Sequence, residues 1–123
     1  MNTHKKYILV VDDDPDILDA IRDTLEDAGY EVKTTEKGED AENLNNISGE
    51  LPALIILDVL LSGMDGRVIC KKLKKQKKTK HIPIIIISAH PSAGLSSTEA
   101  GADEFIAKPF DVDFLLEKIA QYL

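Results

Sequence analysis

The chain has 123 residues, a length that suits one domain, and its hydrophobic content of 43% predicts a folded core. The 22 acidic and 15 basic residues give a net charge of −7, which disfavours nonspecific binding to a nucleic-acid backbone. No apolar run approaches the roughly 20 residues that span a bilayer, and the single cysteine excludes an internal disulfide. We therefore expect one domain over residues 1–123, located in the reducing cytoplasm.

Short apolar runs alternate with segments of helical periodicity along the chain. The runs predict strands at residues 7–11, 31–35, 54–57, 84–87 and 104–107. The other segments predict helices at 14–28, at 38–47, from 65 into the lysine-rich stretch 71–80, at 91–100 and from 111 onward. This alternation favours an α/β fold, a flavodoxin-like doubly wound parallel sheet of five strands in the order 2-1-3-4-5 with helices on both faces.

Capping residues set the predicted helix boundaries. Asp14 can cap the first helix, Pro15 is tolerated at its first position, and Gly29 can end it in a left-handed conformation. Asp65 can cap the third helix. The apolar spacing predicts buried faces made of Ile17, Leu18, Ile21, Leu25 and Ala28 in the first helix and of Val68, Ile69 and Leu73 in the third. Because segment 91–100 is rich in Gly and Ser, we expect a short, irregular or mobile helix there.

Polar residues stand where four of the predicted strands end. Asp12 and Asp13 follow the first strand, Asp58 ends the third, Ser88 follows the fourth and Lys108 follows the fifth. Because ligands of open parallel sheets bind at the carboxyl ends of the strands, we expect these groups to meet there. Three carboxylates packed together repel one another unless one is protonated or a cation lies among them.

The predicted cation is Mg²⁺, with Mn²⁺ as a possible substitute, because such ions prefer hard oxygen ligands. Asp13 and Asp58 are candidates for direct ligands, Asp12 for a ligand through water, and Leu60 for a ligand through its backbone carbonyl. A carboxylate can attack phosphorus and form an aspartyl phosphate. In that reaction Lys108 and the Ser88 hydroxyl would each contact an oxygen of the transferred group.

Motifs along most of the chain resemble the receiver domain of the bacterial response-regulator family, of the stand-alone type. The matching motifs are Val10-Val11-Asp12-Asp13, Leu57-Asp58 followed by Gly63-Met64-Asp65-Gly66, Ser88-Ala89, Gly101-Ala102-Asp103 and Lys108-Pro109-Phe110. The resemblance implies that Asp58 accepts a phosphoryl group from a phosphohistidine of a histidine kinase or a histidine phosphotransfer protein. It also implies that Ser88 and Phe105 then move and reshape the last two strand-helix units, and that the peptide before Pro109 is cis.

The resemblance further implies a signalling switch or phosphorelay component rather than an enzyme, apart from catalysis of its own phosphorylation and dephosphorylation. Its output would pass to a downstream protein, with no direct contact to nucleic acid or membrane. We expect a monomer or a weak, phosphorylation-dependent dimer. Because the chain ends with the last predicted helix, we also expect that no output domain is attached to it.

The sequence departs from the family pattern around the expected site. Ser62 replaces a usual proline, which predicts a looser loop after Asp58, and the interval between Ser88 and Lys108 is shorter than usual. Phe105 lacks the hydroxyl of the more common tyrosine. The resemblance implies that Leu60 and His90 occupy positions that tune the lifetime of the phosphoryl group. Because an apolar Leu60 cannot orient an attacking water, we expect slow self-dephosphorylation.

Other functions fit the residues less well. A phosphatase with an aspartate nucleophile would need a second acid where Leu60 stands, and a flavodoxin-like nucleotide or flavin binder would need a phosphate loop rich in Ser, Thr or Gly after the first strand. A receiver relative that docks without phosphorylation would not need the complete set of polar residues. An EF-hand loop starting at Asp12 would need a glycine at Ile17. The lysine-rich stretch is either a solvated helix end or a docking site for an acidic partner.

Overall fold

A five-stranded parallel sheet forms the centre of the computed structural model, which describes residues 6–46, 49–90 and 92–123. The strands are β1 (Tyr7–Val11), β2 (Glu31–Thr35), β3 (Leu54–Asp58), β4 (Ile84–Ser88) and β5 (Glu104–Ala107). Their order across the sheet is β2-β1-β3-β4-β5, and every neighbouring pair is parallel. The predicted fold class and strand order are therefore confirmed. The middle strands are buried along their whole length, as a sheet covered on both faces requires.

Among the described residues, five α-helices cover the two faces of this sheet. They are α1 (Pro15–Asp27), α2 (Gly38–Glu42), α3 (Gly66–Lys74), α4 (Ala93–Glu99) and α5 (Val112–Tyr122). One apolar cluster joins α1 and α5 to one face of the sheet through residues such as Leu25 and Ile119. A second cluster joins α2, α3 and α4 to the other face through residues such as Ala41, Leu73 and Ala93.

The helix boundaries follow the capping residues that the sequence offered. The Asp14 carboxylate accepts a hydrogen bond from the backbone N–H of Asp16 at 3.0 Å, and Asp65 accepts one from that of Arg67 at 2.8 Å. Gly29 ends α1 with a φ of +96°, a left-handed conformation that favours glycine. These predicted helix starts and this predicted stop are confirmed.

Two of the helices are short, one of them unexpectedly. α2 ends at Glu42 and continues as a 3-10 helix over Asn43–Asn46, a stretch whose asparagine content gives it a low intrinsic α-helix propensity. The last residue of the predicted helix, Ile47, lies outside the described residues. α4 occupies seven residues of the segment 91–100, so the expectation of a short helix there is confirmed; Pro91 also lies outside the described residues.

Two residues assigned to buried faces are exposed, so those assignments are wrong. Val68 is 62% exposed, and Ala28 lies on the surface just after α1. The buried face of α3 consists of Gly66, Ile69, Cys70 and Leu73. Because these positions follow the spacing of three and four residues, Val68 falls on the opposite side of the helix.

The strand register brings polar residues to one edge of the sheet. Val11 lies opposite Leu57, so Asp12, directly after β1, and Asp58, the last residue of β3, stand at the same level. The backbone N–H of Lys108 donates a hydrogen bond to the carbonyl of Ser88 at 2.8 Å, which joins the ends of β5 and β4. The peptide between Lys108 and Pro109 is cis, as the resemblance implied.

Candidate functional site

Three carboxylates meet at the carboxyl edge of the sheet. Asp12, Asp13 and Asp58 each place one oxygen within 4.8 Å of the others. Asp12 and Asp58 are buried, whereas Asp13 is exposed. The backbone N–H of Asp14 donates to Asp12 Oδ1 at 2.9 Å, which fixes the orientation of that carboxylate. The cluster therefore offers hard oxygen ligands of the kind that Mg²⁺ prefers.

The ammonium group of Lys108 lies inside this acidic cluster. Its Nζ donates to Asp12 Oδ2 at 3.0 Å and to Asp58 Oδ2 at 3.3 Å. Burial lowers the pKa of Lys108, but the hydrogen bonds and charges of the two carboxylates outweigh burial and raise the pKa overall. Lys108 is therefore a permanent cation at the reacting edge, close enough to contact a group bound to Asp58.

Asp58 has an unusual protonation equilibrium for an aspartate. Its burial and the negative charge of Asp12 raise its pKa to about 6, although the charge and hydrogen bond of Lys108 lower it. One lysine does not compensate three acids, so an added divalent cation would relieve the remaining repulsion. A carboxylate in this state is a better base than an exposed aspartate.

The backbone of Asp58 is held by the start of α3. A Cβ atom added at Gly66 would lie 2.0 Å from the carbonyl oxygen of Asp58, so only glycine fits there. The backbone N–H of Gly66 also donates to the carbonyl of Val59 at 2.8 Å. Sequence reasoning missed this close approach. Its one signal in the sequence is the glycine that follows Asp65.

Ser88 ends β4, the strand next to β3, and Phe105 lies on β5 opposite Ile86. Ser88 is buried, and its Oγ accepts a hydrogen bond from the backbone N–H of His90 at 3.0 Å. Phe105 is half-buried, and its ring packs against Gly94 of α4. His90 is exposed, and its ring Nδ1 lies 2.8 Å from Ser92 Oγ. The functions assigned to these residues stay predictions.

The loop after Asp58 is more ordered than expected. Residues Leu60–Leu61 and Met64–Asp65 form a short antiparallel hairpin, where the sequence indicated only a loop. Leu60 is 65% exposed and follows Asp58 by two residues. The hydroxyl of Ser62 lies 3.4 Å from Asp13 Oδ2 and can donate a weak hydrogen bond to it. The serine thus adds a polar contact that sequence reasoning missed, and the metal contact assigned to the Leu60 carbonyl stays a prediction.

Comparison with known protein families agrees with this arrangement. The sequence model of the response regulator receiver domain matches residues 8–120, which is most of the chain. The chain belongs to the response-regulator receiver family. This receiver domain carries the acidic cluster and the lysine at the sheet edge where its fold places ligands.

Curated relatives of this receiver domain are longer proteins. It is 34% identical to the DNA-binding dual master transcriptional regulator RpaA of Synechocystis sp., over 94% of this chain and 48% of that protein. It is 38% identical to the response regulator PleD of Caulobacter vibrioides, over 91% of this chain and 25% of that protein. The receiver domain thus spans about half or less of the length of these relatives.

A solved response-regulator structure shares the fold over its full length. The response regulator TrrA from Thermotoga maritima, in complex with Mg(2+)-BeF, has 38% identity and a TM-score of 0.82, covering 97% of this chain and 100% of that chain. Within the described ranges of our receiver domain, every helix is too short or too polar to cross a bilayer.

Proposed function

We propose that Asp58 of this receiver domain accepts a phosphoryl group from a phosphohistidine of a histidine kinase or a histidine phosphotransfer protein. The observation that carries this proposal is the contact of one lysine, Lys108, with both buried carboxylates of the cluster. Asp58 supplies the nucleophile, and Lys108 supplies a cation that can neutralise charge on the transferred group. The domain is a signalling switch that catalyses only its own phosphorylation and dephosphorylation.

The proposed transfer forms one bond and breaks one. A carboxylate oxygen of Asp58 bonds to phosphorus while the bond between phosphorus and the donor histidine nitrogen breaks. The electron pair of the broken bond stays on that nitrogen, and a proton from solvent keeps the departing imidazole neutral. Because charge spreads over the three phosphoryl oxygens during transfer, positioning and electrostatic stabilisation supply most of the catalysis.

The residues present fit a divalent cation. Asp13 and Asp58 are proposed as direct ligands and Asp12 as a ligand through water, with the Leu60 carbonyl as a further oxygen. When bound, Mg²⁺ would neutralise negative charge at phosphorus, and Mn²⁺ is a possible substitute. The complex of TrrA with Mg(2+)-BeF supports a magnesium ion in a closely similar fold. The hydrogen bond from the backbone N–H of Asp14 to Asp12 Oδ1 would hold that carboxylate in place without the ion.

The proposed output is a change of shape next to Ser88. Among the described residues, the Ser88 hydroxyl donates a hydrogen bond to no other side chain. It could therefore turn and donate to a phosphoryl oxygen. Phe105, half-buried against α4, would then occupy the space that Ser88 leaves. We propose that a downstream protein reads this surface in the cytoplasm, and that the domain is a monomer or a weak phosphorylation-dependent dimer.

The proposal is tested with a small phosphoryl donor such as acetyl phosphate in the presence of Mg²⁺. Intact mass spectrometry should show one added phosphoryl group on the wild type and none on Asp58→Asn. Omission of Mg²⁺ with a chelator should abolish most of the labelling. An unlabelled wild type, or an equally labelled Asp58→Asn, would contradict the proposal. Transfer from a panel of phosphorylated histidine kinases then identifies the partner.

A further inference from the structure

A single arginine joins the start of α3 to the middle of α4. Arg67 donates from Nε to Asp65 Oδ1 at 3.0 Å and from Nη2 to Asp65 Oδ2 at 2.7 Å. Its Nη1 donates to the hydroxyl of Ser96 at 3.0 Å, across 29 positions of sequence. The paired bonds to Asp65 fix the plane of the guanidinium, so its third contact is pre-oriented toward α4.

This arginine is anchored directly to the loop that follows the phosphoryl acceptor. Asp65 also caps α3 by accepting from the backbone N–H of Arg67. The next residue, Gly66, lies against the backbone of Asp58 so closely that no side chain fits between them. A displacement of the Asp58 loop would therefore move the anchor of Arg67 as well.

The helix at the other end of this contact is weakly held. α4 has seven residues, most of them poor helix formers, and Ser92 at its N-cap makes no side-chain capping bond. Among the described residues, Ser97 carries a buried hydroxyl without a hydrogen-bond partner. An unsatisfied buried group lowers the stability of the position that buries it. Segments with so few stabilising contacts open locally, and one added hydrogen bond changes their population measurably.

We propose that Arg67 is a latch that holds α4 against α3 through Ser96 while Asp58 is unmodified, and that occupancy of the site favours the unlatched position of α4. The second part rests on the proposed function, whereas the first concerns the unmodified domain alone. By reciprocity of linked equilibria, a variant that lacks the latch should bind a phosphoryl analogue more tightly by the factor by which it opens α4.

The domain contains its own reporter of this movement. Cys70 is the single cysteine of the chain; it is fully buried, and its Sγ lies 3.7 Å from the carbonyl of Ala100 at the end of α4. Burial raises the pKa of this thiol to about 11, so it should react slowly while α4 stays in place. The rate of alkylation by iodoacetamide, followed by intact mass, therefore measures how often α4 leaves α3.

The first test compares alkylation rates of unmodified variants. Ser96→Ala and Arg67→Gln should each react about three to ten times faster than the wild type, because each removes a charge-assisted hydrogen bond. Ser96→Ala also removes the bond from Ser96 Oγ to the Ala93 carbonyl within α4, and Thr98→Ala is the matched control for that loss. Among the described residues the Thr98 hydroxyl bonds only Gly94 of its own helix, so the rate should stay unchanged. In the double variant, Ser96→Ala should add nothing to Arg67→Gln. Rates equal to the wild type in both single variants, or additive effects in the double variant, would overturn the latch.

The second test adds Mg²⁺ with beryllium fluoride as the phosphoryl analogue. The wild type should be alkylated faster when the analogue is bound, and both latch variants should bind it about three to ten times more tightly. If the analogue raises the melting temperature of the wild type but leaves alkylation and variant affinity unchanged, the latch has no regulatory function. If it does not bind the wild type at all, the proposed function fails, while the alkylation rates of unmodified variants still decide whether the contact holds α4.

Discussion

Lys108 Nζ lies closer to Asp12 than to Asp58, at 3.0 Å against 3.3 Å. One cation is thus shared between two buried carboxylates that also face the exposed Asp13. Asp12 is fully buried and forms the shorter of the two bonds to Lys108. The positive charge of Lys108 therefore compensates Asp58 less than it compensates Asp12. This unequal sharing agrees with the raised pKa of Asp58 and leaves its oxygens available to react.

Removal of the shared cation should damage both stability and chemistry. We expect Lys108→Met to lower the free energy of unfolding by about 2–4 kcal/mol at pH 7, because it leaves buried acids without their cation. Labelling by a small phosphoryl donor should slow by about 10- to 100-fold, because charge on the transferred group loses its stabilisation. Chemical denaturation and labelling kinetics check the two effects. Lys37→Met, which removes an exposed lysine at the start of α2, is the control, and equal behaviour of the two variants would contradict this prediction.

The raised pKa of Asp58 predicts how stability depends on pH. Its ordinary pKa is 3.8, and burial with the charge of Asp12 raises it to about 6 in the folded domain. Between these values the folded state holds more protons than the unfolded state, so the free energy of unfolding should fall as pH rises through about 4 to 6. The fall should be on the order of 1–3 kcal/mol.

Asp58→Asn isolates this contribution because asparagine does not titrate. In buffer with a chelator, the variant should gain stability relative to the wild type at pH 7 and lose that advantage near pH 4. Thermal unfolding over a pH series measures the difference between the two proteins. A constant difference at every pH would show that Asp58 has an ordinary pKa in the folded domain.

The contact between Gly66 and Asp58 predicts a steric effect. In Gly66→Ala the new methyl would meet the Asp58 carbonyl at 2.0 Å, so α3 or the acceptor loop must shift. We expect a loss of about 2–4 kcal/mol in unfolding free energy and slower labelling of Asp58. Gly94→Ala is the matched control, because its methyl would meet Phe105 at 3.4 Å, an ordinary contact. A Gly66→Ala domain as stable as the control would refute this account of the loop.

Leu60 should control how long the phosphoryl group persists. Its side chain is 65% exposed beside the site and carries no group that could orient a water molecule. We expect Leu60→Asn to shorten the half-life of the phosphorylated domain about threefold or more, since a positioned water attacks faster. Decay of the labelled species, followed by intact mass, measures the half-life. Val68→Asn, a similar change at an exposed apolar residue on α3, is the control and should leave the half-life unaltered. A Leu60→Asn domain with the half-life of the wild type would show that the prediction is wrong.

The parts of the fold that depend on local patterns could be predicted from the sequence. Apolar runs fixed the strands, and caps such as Asp14 fixed helix starts, because these signals lie within a few residues of their effect. The meeting of Asp12 with Asp58 followed from topology, since few connections satisfy five alternating units.

Contacts that depend on the relative placement of elements could not be predicted. Ser62 was assigned only a looser loop, yet its hydroxyl reaches Asp13 from 49 positions away. The bond from Arg67 to Ser96 likewise depends on how two helices lie on the sheet, which no periodicity encodes. Val68 was assigned to the core with Ile69 and Leu73 by their apolar spacing, yet the packing of α3 buries Cys70 and leaves Val68 exposed.

The central claim is that the carboxylate of Asp58 receives the phosphoryl group. Borohydride reduces an aspartyl phosphate to homoserine, which marks the acceptor in a peptide map. After treatment with a phosphoryl donor and Mg²⁺, we predict homoserine at position 58 alone, with none when Mg²⁺ is chelated. Homoserine at position 12 or 13, or a map without any homoserine from a donor-treated domain, would contradict the account.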